Sequence, residues 1–102
     1  MPPYRFEHQF IDTSLTGIDW AQTGAADLDR DGRPEFVIGQ KLGSIYWYDW
    51  LNGAWTRHLL GETSPSDVGG AALDVDGDGW IDWIAGGVWY RNSRSPGRPF
   101  DR

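Results

Sequence analysis

Apolar and aromatic residues come in short runs, and each run is closed by a turn signal. In the first half the runs predict strands over 22–27, 35–39, 44–50 and 54–60. In the second half they predict strands over 69–74, 82–86, 87–91 and 98–102. The separators are Asp31-Gly32, Leu42-Gly43, Asn52-Gly53, Asp78-Gly79 and Pro96-Gly97, which supply the backbone freedom that tight turns need. The first strand of each half is built from small residues, Gly24-Ala25-Ala26 and Gly69-Gly70-Ala71-Ala72, which suits close packing between sheets. The middle strands are apolar and aromatic, as in strands sandwiched between layers.

The two halves are copies of one unit. Gly24-Ala25-Ala26-Asp27-Leu28-Asp29-Arg30-Asp31-Gly32 matches Ala71-Ala72-Leu73-Asp74-Val75-Asp76-Gly77-Asp78-Gly79, with Asp27 and Asp74 standing 47 residues apart. Downstream, Glu35-Phe36-Val37-Ile38-Gly39 matches Asp82-Trp83-Ile84-Ala85-Gly86, and Tyr46-Trp47-Tyr48 matches Val88-Trp89-Tyr90. Four strands in about 40–50 residues is the spacing of a β-propeller blade. A two-sheet sandwich also holds eight strands, but it gives no reason for the repeat. The expected fold is therefore all-β, with two four-stranded propeller blades over 13–60 and 61–102. Residues 1–12 read as an outer strand of a preceding or neighbouring blade.

Composition adds to this picture. Seven Trp, four Tyr, four Phe and 14 Gly fit an aromatic, turn-rich β protein. A charge of −6 speaks against nucleic acid, whose phosphates call for clustered Lys and Arg. Arg91, Arg94, Arg98 and Arg102 crowd the C-terminal end and read as a solvated tail. Cysteine is absent, which excludes disulfides and thiolate metal sites. No apolar run reaches the roughly 18 residues of a membrane span, and Met1-Pro2-Pro3-Tyr4 lacks the features of a signal peptide.

The acids carry the chemistry. Asp27, Asp29, Asp31 and Glu35 recur at the same spacing as Asp74, Asp76, Asp78 and Asp82. Carboxylates at alternate positions repel one another, and a hard divalent cation relieves that repulsion through oxygen ligands. Gly32 and Gly79 at the sixth position permit the sharp turn, and Arg33 and Trp80 at the seventh offer backbone carbonyls. An EF-hand requires Glu at position twelve, where this chain has Ile38 and Ala85. These loops, 27–35 and 74–82, instead join two strands, and calcium is the expected ion. The bland alternative is an Asp-Gly hairpin with incidental acids. Two loops in register weigh against it.

At these residues the chain resembles the FG-GAP/VCBS-type repeat family, whose calcium loops also occur in integrin α-subunit propellers. The motif Asp-x-Asp-x-Asp-Gly-x-x-Asp is complete at Asp74, Asp76, Asp78 and Asp82, and Glu35 replaces the last Asp of the first copy. The name's Phe-Gly/Gly-Ala-Pro signature is not clearly present, which favours the VCBS-like branch. The resemblance implies an extracellular or periplasmic setting and roles in adhesion, carbohydrate recognition or sugar-active enzymes. The leading expectation is a structural or binding module pinned by calcium. The alternatives are a lectin-like propeller that binds glycans, and a fragment of a sugar-active lyase or dehydratase.

Two blades do not close a propeller, which takes about four to eight. The chain is thus expected either to belong to a longer protein or to form a homo-oligomer, with six blades from a trimer or eight from a tetramer. Asp19 and Asp67 precede the loops by eight and seven residues and, with Trp20, are candidate ligand-binding residues on the approach segments. A turn-capping role for the two acids is the plainer reading. Trp20 and Trp80 read as loop residues and as candidates for stacking on sugar. His8 and His58 read as surface pairing. No nucleophile elbow, phosphate loop or zinc helix motif is present.

Overall fold

A computed structural model describes residues 4–102. The described residues contain seven strands and no helix: β1 (Trp20–Ala26), β2 (Glu35–Gln40), β3 (Ile45–Leu51), β4 (Ala54–Gly61), β5 (Ala71–Leu73), β6 (Asp82–Ala85) and β7 (Val88–Tyr90). They form two antiparallel meanders, a four-stranded sheet β1-β2-β3-β4 and a three-stranded sheet β5-β6-β7. The all-β expectation and the division into two repeated sheets hold.

Local chemistry sets the turns. Asn52 and Gly53 both have positive φ, 53° and 80°, between β3 and β4. That is the backbone of the primed hairpin turns, whose twist matches the flanking strands. Gly86 and Gly87, at 58° and 76°, do the same between β6 and β7.

The second sheet differs from the four strands expected of it. Residues 98–102 make only one bridge, Arg91 to Asp101, with Phe100 N donating to Leu60 O of β4 at 2.7 Å. Pro99 explains the loss, since it has no N–H for a ladder and fixes its own φ. Trp20 opens β1 rather than lying in a loop. Of the outer strand expected over 1–12, residues 4–12 carry no strand, and residues 1–3 lie outside the described residues.

The core lies between the sheets. Alternation along the strands puts Gln22, Gly24, Val37, Ile45 and Trp47 on one face of the first sheet. Trp83, Ala85 and Tyr90 face them from the second, and Leu28, Leu60 and Phe100 close the rim. Trp83 lies so near Gly24 that an added Cβ would stand 2.6 Å from its ring. Its indole N–H donates to Gln22 Oε1 at 2.7 Å within the buried interface. The small residues of β1 are therefore required by an aromatic ring arriving from the other repeat.

Candidate metal loops

Loop 27–35 joins β1 to β2, and loop 74–82 joins β5 to β6. The hydrogen bonds accepted by their first three acids agree amide for amide. Asp27 accepts from the backbone N–H of Asp31 at 3.1 Å and of Gly32 at 3.0 Å. Asp74 accepts likewise from Asp78 at 3.1 Å and Gly79 at 2.8 Å. Asp29 and Asp76 accept from Asp31 and Asp78, and the latter two accept from the N–H of Arg33 and Trp80. Gly32 and Gly79 sit at φ 86° and 89°, the left-handed region that the sharp turn demands. Arg30 occupies that region at 63°, where the second copy has Gly77 at 72°.

The two acid clusters are not equivalent. In the first, Asp27, Asp29, Asp31 and Glu35 each bring one oxygen within 4.8 Å of the others. In the second, Asp74, Asp76 and Asp78 do so without Asp82. Asp82 is buried, and its two oxygens take the N–H groups of Val75 at 3.1 Å and Asn92 at 2.8 Å. Glu35 also accepts two amides, from Leu28 at 2.6 Å and Asp29 at 3.2 Å, but both fall on Oε1. The extra methylene of Glu35 lets it serve the loop and still reach the cluster. The sequence motif alone made the second loop the more complete one, and the geometry reverses that order.

Electrostatics separate the loops further. Burial pushes the Glu35 carboxyl up to about 8, and Asp29 and Asp31 add to the rise against the pull of its two amide bonds. Burial also raises Asp29, whereas the N–H of Arg33 lowers Asp31. The second loop carries its own counter-charge. Arg94 stands 2.8 Å from Asp78 Oδ2, and Arg91 Nε stands 2.8 Å from Asp76 Oδ2. The hydrogen bond from Arg94 is the main cause that holds Asp78 down near about 2. In the first loop the corresponding pairing is a loose contact of 3.8 Å from Arg33 to Asp31. Arg91 and Arg94 are thus not a solvated tail. Spacing in sequence gave no signal for them, because β7 and the segment after it bring them to the loop.

Asn92 was equally hidden. It is 5 % exposed, and its Nδ2 donates at 2.8 Å to Leu28 O in the first loop and at 2.8 Å to Ile81 O in the second. One side chain therefore ties the two loops together. Arg30 adds a second tie by lying over the Trp80 ring, 5.3 Å from its centroid.

The remaining candidates are placed as follows. Asp19 is exposed with φ 63°, and its backbone O accepts from Lys41 N at 3.3 Å. Asp67 is half-buried between β4 and β5. Trp20 donates to Thr16 O at 2.9 Å and stacks on Tyr46, 5.9 Å between centroids. Trp20 and Trp80 thus each have one ring face already covered. His58 pairs with Asp49 at 3.2 Å and stacks on Trp47.

The donor set suits a calcium ion. Oxygens bound at about 2.3–2.6 Å lie at most about 4.6–5.2 Å apart across the ion. The spread in each cluster, within 4.8 Å, fits inside such a shell. Carboxylate oxygens are hard ligands, as calcium prefers.

A model of the FG-GAP-like repeat matches residues 27–85, from the first Asp of the first loop to the last residue of β6. No curated protein and no solved structure matches the chain. With two β-meanders, each carrying the same Asp-rich loop between its first two strands, the chain belongs to the FG-GAP-like repeat family.

Proposed function

We propose that the chain is a calcium-binding β-propeller repeat module with a structural role. Calcium would be held by Asp27, Asp29, Asp31 and Glu35 in one blade and by Asp74, Asp76 and Asp78 in the other, with the carbonyls of Arg33 and Trp80 completing the shells. Asp82 supports the second loop from behind through Val75 and Asn92. The observation that carries this reading is the convergence of four carboxylates within 4.8 Å in the loop that joins the paired strands β1 and β2. Unliganded, those charges oppose the loop's fold. A cation that binds only the folded loop stabilises it by mass action.

In this reading residues 13–60 and 61–102 are two blades, and residues 1–12 belong beside a further blade. The module works as part of a larger ring, supplied by more repeats or by more copies. FG-GAP-like repeats are typical of extracellular proteins, and calcium there is abundant enough to fill sites of roughly 0.1–1 mM affinity. Calorimetric titration with calcium tests the proposal. The chain should take up calcium and unfold at higher temperature with it than in chelator. Replacing Asp29 and Asp76 together by Ala should abolish the heat of binding, and unchanged binding would sink the reading.

A further inference from the structure

The repeat makes the interface inside this molecule a template for one outside it. Leu28, Val37 and Trp47 of the first copy are 2 %, 0 % and 2 % exposed, buried by the second sheet. Their repeat counterparts are Val75, Ile84 and Trp89. Val75 and Trp89 are 42 % and 41 % exposed, beside Leu73 at 53 %. Ala71, Ile84 and Trp89 are paired across β5, β6 and β7 in one row, so the patch is a single sheet face. Two of these three positions are core in one copy and exposed in the other, and the third, Ile84, is half-buried.

We propose that this face is covered by a second copy of the chain, through the face of its first sheet that bears Phe36 and Tyr48. These two residues are the counterparts of Trp83 and Tyr90, which cover the first copy from inside. The match extends to the residues that distinguish the two repeats. Inside the chain, Trp83 rests on Gly24 and Gly70 and gives its indole N–H to Gln22. At the outer face the counterparts of Gln22 and Gly24 are Gly69 and Ala71. The incoming ring is Phe36, which has no N–H to satisfy and is smaller by one ring. The acceptor and the donor are lost together. The methyl gained at Ala71 meets the volume lost at Phe36, and Thr23 replaces Gly70 beneath the smaller ring. Paired changes of this kind suit a copy that follows the internal packing.

The Phe36 face already has an occupant. Phe10, Ile11 and Leu15 line a cavity of about 180 Å³ together with Phe36, Ile38 and Tyr48. Asp12 holds the segment in place through the Tyr48 hydroxyl at 2.6 Å and Arg57 at 3.4 Å. The segment stands in for the second copy and must leave before docking, so releasing it strengthens association. This inference rests on the propeller-repeat reading but not on calcium.

The test is solution mass by light scattering over a concentration series, in calcium and in chelator, with calcium binding measured separately by calorimetry. The unaltered chain should associate as concentration rises, and Asp12→Ala should associate at least ten-fold more tightly. The chain has no cysteine, so cross-links report only introduced thiols. An oxidised mixture of Ala71→Cys with Phe36→Cys, or with the exposed Thr23→Cys, should form covalent dimers across the two variants. Ala71→Cys alone should form none. A monomer at every concentration, for both the unaltered chain and Asp12→Ala, overturns the proposal. So does self-linking of Ala71→Cys, which would mean that the face pairs with itself. Calcium uptake without association removes this inference and leaves the metal reading intact, and association without calcium uptake does the reverse.

Discussion

Arg94 and Arg91 place two guanidinium groups against the carboxylates of the second loop, each at 2.8 Å. A fixed positive charge beside the proposed cation site would oppose the cation, and Asp78 Oδ2 is engaged by the Arg94 contact. Replacing both arginines by Ala should therefore strengthen calcium binding at the second loop. Coulomb repulsion near a wet surface makes the expected gain about 2- to 10-fold. Titration in an Asp29→Ala background isolates that loop, and weaker binding there would show that the arginines assist the site. The acids were legible in the sequence because their ligand spacing is local, running through nine consecutive positions. The arginines were not, because their partners lie 15 and 16 residues away and the path between them runs through two strands. Asp82 shows the same limit: the motif names it, but only the fold shows both of its oxygens spent on Val75 and Asn92.

At the level of the strands, the β1 glycine and the β6 tryptophan form one joint. Gly24→Ala puts a methyl 2.6 Å from the Trp83 ring, so the sheets must part or the ring must turn. Overpacking of this kind costs about 1–3 kcal/mol, measurable by urea unfolding. Adding Trp83→Phe should recover part of that loss, whereas full additivity of the two changes would argue that they do not meet. Strand existence and order were readable from the chain, because turn residues bracket every run and the repeat confirms each half with the other. The last strand was not, since apolar Phe100 suggested a ladder that Pro99 prevents. The face that each aromatic takes was also hidden. Period-two alternation separates the two faces of a sheet without saying which one the second repeat will cover.

Across the whole molecule, the segment before β1 and the core between the sheets respond to different conditions. Hydrogen bonds from Ser14 and Tyr48, with the charge of Arg57, bring the Asp12 carboxyl from 3.8 to about 2. A lowered pKa in the folded state contributes stability above the ordinary value, and that contribution fades as pH falls toward the folded one. The segment should stay docked above about pH 4 and loosen between about pH 4 and 2, followed by near-ultraviolet absorbance of Tyr48. Asp12→Asn should remove this step. The core has a different weak point in Asn92. Its replacement by Ala strands the Leu28 and Ile81 carbonyls and should cost about 2 kcal/mol or more, seen in thermal melts. Because one amide group spans both loops, the order imposed on either is shared by the other. If both loops take up calcium as proposed, uptake at one should lower the entropy cost at its neighbour, and by thermodynamic reciprocity the favour should be returned in equal measure. Each loop would then bind more tightly with its neighbour filled than with its neighbour disabled, and cutting the Asn92 link would remove that difference.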